Sequence, residues 1–158
     1  MGDIDKKRER NVTFRISSKT LSDLPEYIFE YVLDDLELVD IRQKQIQLIE
    51  NMLKTTPLQV YTLTIQSTEH TAVMAILPNV IPGSLEFLGL NSKNNGAKLE
   101  EIVELEQWKR LKRSYVETVS DSFDIEHFFH LEQFKIVQIR ITEERLVKIR
   151  DVREFLPH

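Results

Sequence analysis

Apolar and polar residues alternate with a period of two over residues 12–17. Val12, Phe14 and Ile16 fall on one side and Thr13, Arg15 and Ser17 on the other, which predicts a half-buried strand. The longest periodic stretch follows, from Ser22 to Lys54. Ser22 or Asp23 can cap a helix there, Pro25 is tolerated only in its first turn, and Pro57 stops it. Ile28, Val32, Leu36 and Val39 make one stripe at helical spacing, continued by Ile46, Ile49 and Leu53. Leu38, Ile41, Leu48 and Met52 make a second ridge about a third of a turn away. The expectation is one long helix, or two helices broken near Asp34–Asp35.

Leu58–Gln66 alternates again, and Thr71–Leu77 is apolar on both faces; together they predict an antiparallel hairpin. Ser84–Leu90 reads as a further short strand and Asn91–Gly96 as a loop. Ala97–Val119 predicts a second long helix, with Leu99, Ile102, Leu105, Trp108 and Leu111 at every third position. Ser120–Gln133 reads as a short packed helix and Phe134–Ile141 as a strand. Thr142 can cap a last helix with Glu143 and Glu144 in its first turn; a strand over Arg145–Val152 is the alternative. No internal repeat stands out. The resulting order, β-α-β-β-(β)-α-β-α, predicts an α+β two-layer sandwich with a long first helix, for which ferredoxin-like β-α-β-β-α-β connectivity is one form. Residues 1–10 read as a flexible N-terminus and 11–158 as a single domain.

Composition narrows the function classes. With 158 residues, 41% apolar and 30% charged, the chain has the balance of one soluble globular domain. Its net charge of −5 disfavours nucleic acid as the main partner. The absence of cysteine excludes disulfides, thiolate catalysis and zinc–cysteine sites. No apolar run approaches the ~18 residues of a membrane span, and the charged N-terminus lacks the apolar region of a secretory signal. A cytoplasmic, intracellular protein with no membrane partner is the expectation. There is no glycine-rich phosphate loop and no GxSxG elbow, so neither a cofactor nor a catalytic centre is implied.

Three clusters carry candidate chemistry. His127 and His130 are three apart among Asp121, Asp124, Glu126 and Glu132; on a helix both imidazoles could reach one metal, although the HExxH pattern is missing. Lys109, Arg110, Lys112 and Arg113 surround Trp108, which could stack on a base. The acid-first, base-last order of that segment is also what a helix dipole favours. An RNA-recognition domain shares the strand–helix order but needs aromatics on its exposed strands, and Thr71–Leu77 offers none. The third cluster is the ridge Leu38, Ile41, Leu48 and Met52. A helix apolar on two faces must bury the second against another helix or another chain. The reading is a non-catalytic protein-interaction or oligomerisation module, a subunit or adaptor that binds a protein partner or itself through that ridge. A metal-dependent or small-molecule-binding enzyme around His127 and His130, and a nucleic-acid-associated protein using residues 108–113, are the alternatives.

Overall fold

The computed structural model describes residues 13–17, 32–66, 70–91 and 98–155. Its strands are β1 (Thr13–Ser17), β2 (Val32–Val39), β3 (Gln59–Gln66), β4 (Phe87–Asn91), β5 (Arg113–Thr118) and β6 (Gln133–Gln138). They form one six-stranded sheet in the order β1-β2-β3-β4-β5-β6, and every neighbouring pair is parallel. Between the strands lie α1 (Gln43–Thr55), α2 (His70–Ile76), α3 (Leu99–Ile102), α4 (Glu106–Lys109) and two 3-10 turns, Leu77–Asn79 and Ile125–Phe128. A last helix, α5 (Glu143–Phe155), follows β6.

This is an α/β architecture, and it overturns the α+β sandwich with an antiparallel hairpin. Each strand pairs with the next in the chain, so the molecule advances one strand at a time, as a solenoid does. The paired positions Thr13, Asp35, Thr62, Phe87, Arg113 and Gln133 step along the chain by 22, 27, 25, 26 and 20 residues. The sequence carries the corresponding pattern: Leu33-x-x-Leu36-x-Leu38, Val60-x-x-Leu63-x-Ile65, Leu85-x-x-Leu88-x-Leu90, Leu111-x-x-Ser114-x-Val116 and Leu131-x-x-Phe134-x-Ile136. Spacing and pattern are those of leucine-rich repeats. The repeat that did not stand out in the sequence is thus the organising feature of the fold.

The expected long helix over 22–54 is corrected too. Its N-terminal part through residue 31 lies outside the described residues. The remainder splits into β2 and α1 at Asp40, whose φ of 50° is left-handed. Asp is one of the few side chains that visit this region readily, and it turns the chain out of the sheet. The Asp40 N–H then donates to the carbonyl of Gln66 at 2.9 Å. Leu36 and Leu38 point to the core while Asp35 and Glu37 point away, so the period of two governs β2. Thr71–Leu77, expected as a strand, is helical in α2: Ala72, Val73, Ala75 and Ile76 all face the core. A short run apolar on both sides fits a buried helix as well as a central strand. The expected helix 97–119 is α3, α4 and then β5. The strands expected near 12–17, 58–66, 84–90 and 134–141 and the C-terminal helix match β1, β3, β4, β6 and α5.

The buried residues of strands, helices and turns make one apolar cluster, with Trp108 and Phe128 its largest fully buried side chains. Trp108 meets Phe128 edge-on at 5.3 Å between ring centroids, and its indole N–H donates to the carbonyl of His127 at 3.0 Å. Buried Gln107 donates to the carbonyls of Pro78 and Val80, and Ser114 to that of Leu88, so these polar groups bridge successive repeats.

Candidate protein-interaction face

A parallel sheet is ordinarily covered on both faces. Among the described residues the helices and turns cover one face, and the side chains that alternate to the other form an open surface. Two of its rows can be read from the register. One runs Thr13, Asp35, Thr62, Phe87, Arg113, Gln133; the next runs Arg15, Glu37, Thr64, Gly89, Tyr115, Lys135. Because side chains on one row stand about 4.8 Å apart, each is flanked by neighbours from adjacent strands. Six of these twelve residues are half-buried in this way, Gly89 is buried and the other five are exposed.

The surface changes character along the solenoid. On β1 and β2 it is charged. Arg15 lies 3.9 Å from Glu37, and Gln66 donates to Glu37 at 3.4 Å. Burial, with the nearby Glu37 carboxylate, raises the pKa of Asp35 from its ordinary value. On β3 and at Gly89 of β4 the floor is small and neutral, with Thr62 and Thr64, while Phe87 of β4 begins an aromatic end. A Cβ on Gly89 would stand 3.2 Å from the Phe87 ring and 3.2 Å from the Thr64 hydroxyl, so the missing side chain leaves room for that ring beside Thr64. On β5 and β6 the surface is aromatic and basic around Arg113, Tyr115 and Lys135, and Glu117 follows Tyr115 on the same face. The Arg113 guanidinium lies 5.9 Å from the centre of the Phe87 ring, and the Lys135 ammonium 6.0 Å from that of Tyr115. With Gln133 these side chains line a groove of about 310 Å³. Ser114 and Phe134 also border it; the Ser114 hydroxyl bonds the Leu88 carbonyl, and the Phe134 ring packs on Phe128 at 5.2 Å.

The residues singled out from the sequence are dispersed. Leu38 is in β2 and Ile41 just after it, and both are buried in the core. Met52 is half-buried in α1, and Leu48, 49% exposed, is the ridge residue that meets solvent. No single helix carries the four. Trp108 is buried, so its ring is closed to a stacking base. Around it, Lys109 and Arg110 reach Glu106 at 3.6 and 4.0 Å, Lys112 reaches Glu86 at 3.2 Å, and Arg113 alone belongs to the open sheet face. The His130 Nε2–H donates to the Trp108 carbonyl at 2.9 Å, and the His127 ring lies against Phe123 at 5.5 Å. Among the described residues no three His, Asp or Glu side chains converge as a metal would require. No helix among them is long and apolar enough to cross a membrane. Phe87, Tyr115 and Lys135 are not among the residues the sequence singles out: the segment of Tyr115 reads as helix, and no local signal sets the strands of Phe87 and Lys135 beside it. The repeated leucine pattern, once aligned, would have placed all three on one face.

Comparison with known proteins gives the same region a family. The FTH domain matches residues 43–155, well over half of the chain. F-box A protein 224 of Caenorhabditis elegans is 34% identical over 71 residues; the match spans 45% of this chain and 18% of that relative. No solved structure matches.

Proposed function

This chain belongs to the FTH domain family, and we propose that it is a protein-recognition module, a subunit or adaptor that holds a partner protein on the open face of its parallel sheet. The observation that carries the reading is that face, uncovered among the described residues: six parallel strands present polar, aromatic and charged rows where such a sheet is normally roofed by helices. Solenoids use extended faces of this kind to bind other macromolecules. The F-box A relative supports an adaptor role within a larger protein, since the match covers less than a fifth of its length. An intracellular location belongs to the same proposal.

Self-association has its own supporting observation. At the β6 end Val137, Ile141, Leu146 and Val147 are 40–54% exposed. Apolar side chains gathered beside an edge strand favour a second chain there.

The test is affinity purification of the tagged chain with quantitative mass spectrometry. A partner recovered with the native chain is expected to fall at least about tenfold with Thr62→Arg and Thr64→Arg together, and to be retained with Leu48→Asp. Loss with Leu48→Asp and retention with the threonine pair would move recognition to the helical side and overturn the reading.

A further inference from the structure

Arg113 and Lys135 stand out in a chain whose net charge is −5. Each faces an aromatic ring, and among the described residues neither makes an ion pair with a carboxylate. The other basic side chains of the same segment, Lys109, Arg110 and Lys112, are each matched by a glutamate. The groove lining holds two cations, three aromatic side chains, a serine and a glutamine, with no aspartate or glutamate. From this charge balance we infer that the β4–β6 end of the open face binds an extended acidic segment of a partner protein. The inference rests on the recognition reading above and adds the chemistry of the ligand.

The geometry suits an extended chain. Tyr115 pairs with Lys135 and Arg113 with Gln133, so Arg113 and Lys135 are diagonal neighbours on adjacent strands. Strand spacing and rise per residue put their Cα atoms about 8 Å apart. Two carboxylates at alternate positions of an extended peptide are roughly 6.6 Å apart, within reach of both cations through flexible stems. A side chain between them would meet the Phe87 and Tyr115 rings, and the Gln133 amide offers both a donor and an acceptor to the peptide backbone. A single-stranded nucleic acid also seeks aromatic rings among cations. It is disfavoured because two cations give a strand few phosphate contacts, whereas an extended peptide needs only two carboxylates to meet both.

The experiment is fluorescence anisotropy with the full chain and three labelled probes: a nonapeptide with glutamate at alternate positions, the same peptide with glutamine, and a ten-nucleotide oligothymidylate. The glutamate peptide is expected to bind at least about tenfold more tightly than the glutamine peptide, with affinity falling as salt is added. Arg113→Glu with Lys135→Glu is expected to abolish that preference, and Arg113→Gln with Lys135→Gln to do the same if the reversal impairs folding. Equal affinity for the two peptides overturns the inference without any variant. So does an unchanged preference in the folded double variants, or tighter binding of the oligothymidylate. If the glutamate preference is missing while Thr62→Arg with Thr64→Arg still releases the captured partner, the acidic ligand is wrong and the recognition face stands.

Discussion

The guanidinium of Arg145 donates to the carbonyl of Phe123 at 3.0 Å, tying α5 to the loop that follows β5. The same side chain donates to the carbonyls of Arg140, Ser120 and Asp121, and it is only 5% exposed. One arginine thus satisfies four backbone acceptors that no regular ladder reaches. Arg145→Ala would leave the Arg140, Asp121 and Phe123 carbonyls without this donor, while that of Ser120 keeps the Phe123 N–H at 3.2 Å, and is expected to cost about 3 kcal/mol. Thermal melting checks the loss, and hydrogen exchange should localise it to α5. Arg145→Lys keeps the charge without the planar fork and should recover only part.

Trp108 is the only tryptophan, so its fluorescence reports on the core directly. Trp108→Ala is expected to cost about 4 kcal/mol, from the cavity and the lost edge-on contact with Phe128. Trp108→Phe keeps most of the volume but leaves the His127 carbonyl without its donor, for roughly 1–2 kcal/mol. In the native chain the emission should be that of a buried indole and shift to the red in one step with urea.

Two carboxyls give opposite acid dependence. The Asp124 pKa is lowered, first by the Glu126 backbone N–H and then by Lys148, so its folded-state contribution is present above the unfolded value and fades as pH falls through the folded one. Asp35 is raised by burial and by Glu37, so the folded chain gains stability as pH falls through its value. Asp35→Asn is therefore expected to raise the melting temperature at pH 7, with the gain shrinking toward acid. Asp124→Asn should lower it at pH 7, with the loss shrinking toward acid. Melts of both variants at neutral and acid pH decide the signs.

Gly89 keeps the floor of the open face low. Gly89→Ala brings a methyl within 3.2 Å of Phe87 and Thr64, contacts that a small shift of the ring can relieve. Gly89→Leu stands a bulky side chain on the surface where the partner is proposed to lie. It should leave the circular dichroism spectrum near native while abolishing capture of a partner, and capture by both folded variants at the native level would count against the face.

Strand-period segments were legible in the sequence where one face is buried and the other polar, as at β1 and β3. The C-terminal helix was legible from Thr142, whose hydroxyl accepts the Arg145 N–H at 3.2 Å. The repeat was hidden for three physical reasons. Its steps vary from 20 to 27 residues with the length of each connection. Its leucine positions accept Val, Ile, Phe and even a hydrogen-bonded Ser114. And Leu33 and Leu36, three apart, imitate a helical face until Leu38 is added. The parallel pairing had no local signal, because it is set by where the connections return. The recognition face inherited that loss: Phe87, Arg113, Tyr115 and Lys135 are distant in sequence and become neighbours only when the strands stack in order.

The most direct test of recognition through the open sheet is site-specific photo-cross-linking of the full chain, with a benzophenone amino acid at Thr64 on that face or at Leu48 on exposed α1. A protein adduct from position 64, absent or much weaker from position 48, is the predicted result. An adduct from position 48 with none from position 64 would contradict it.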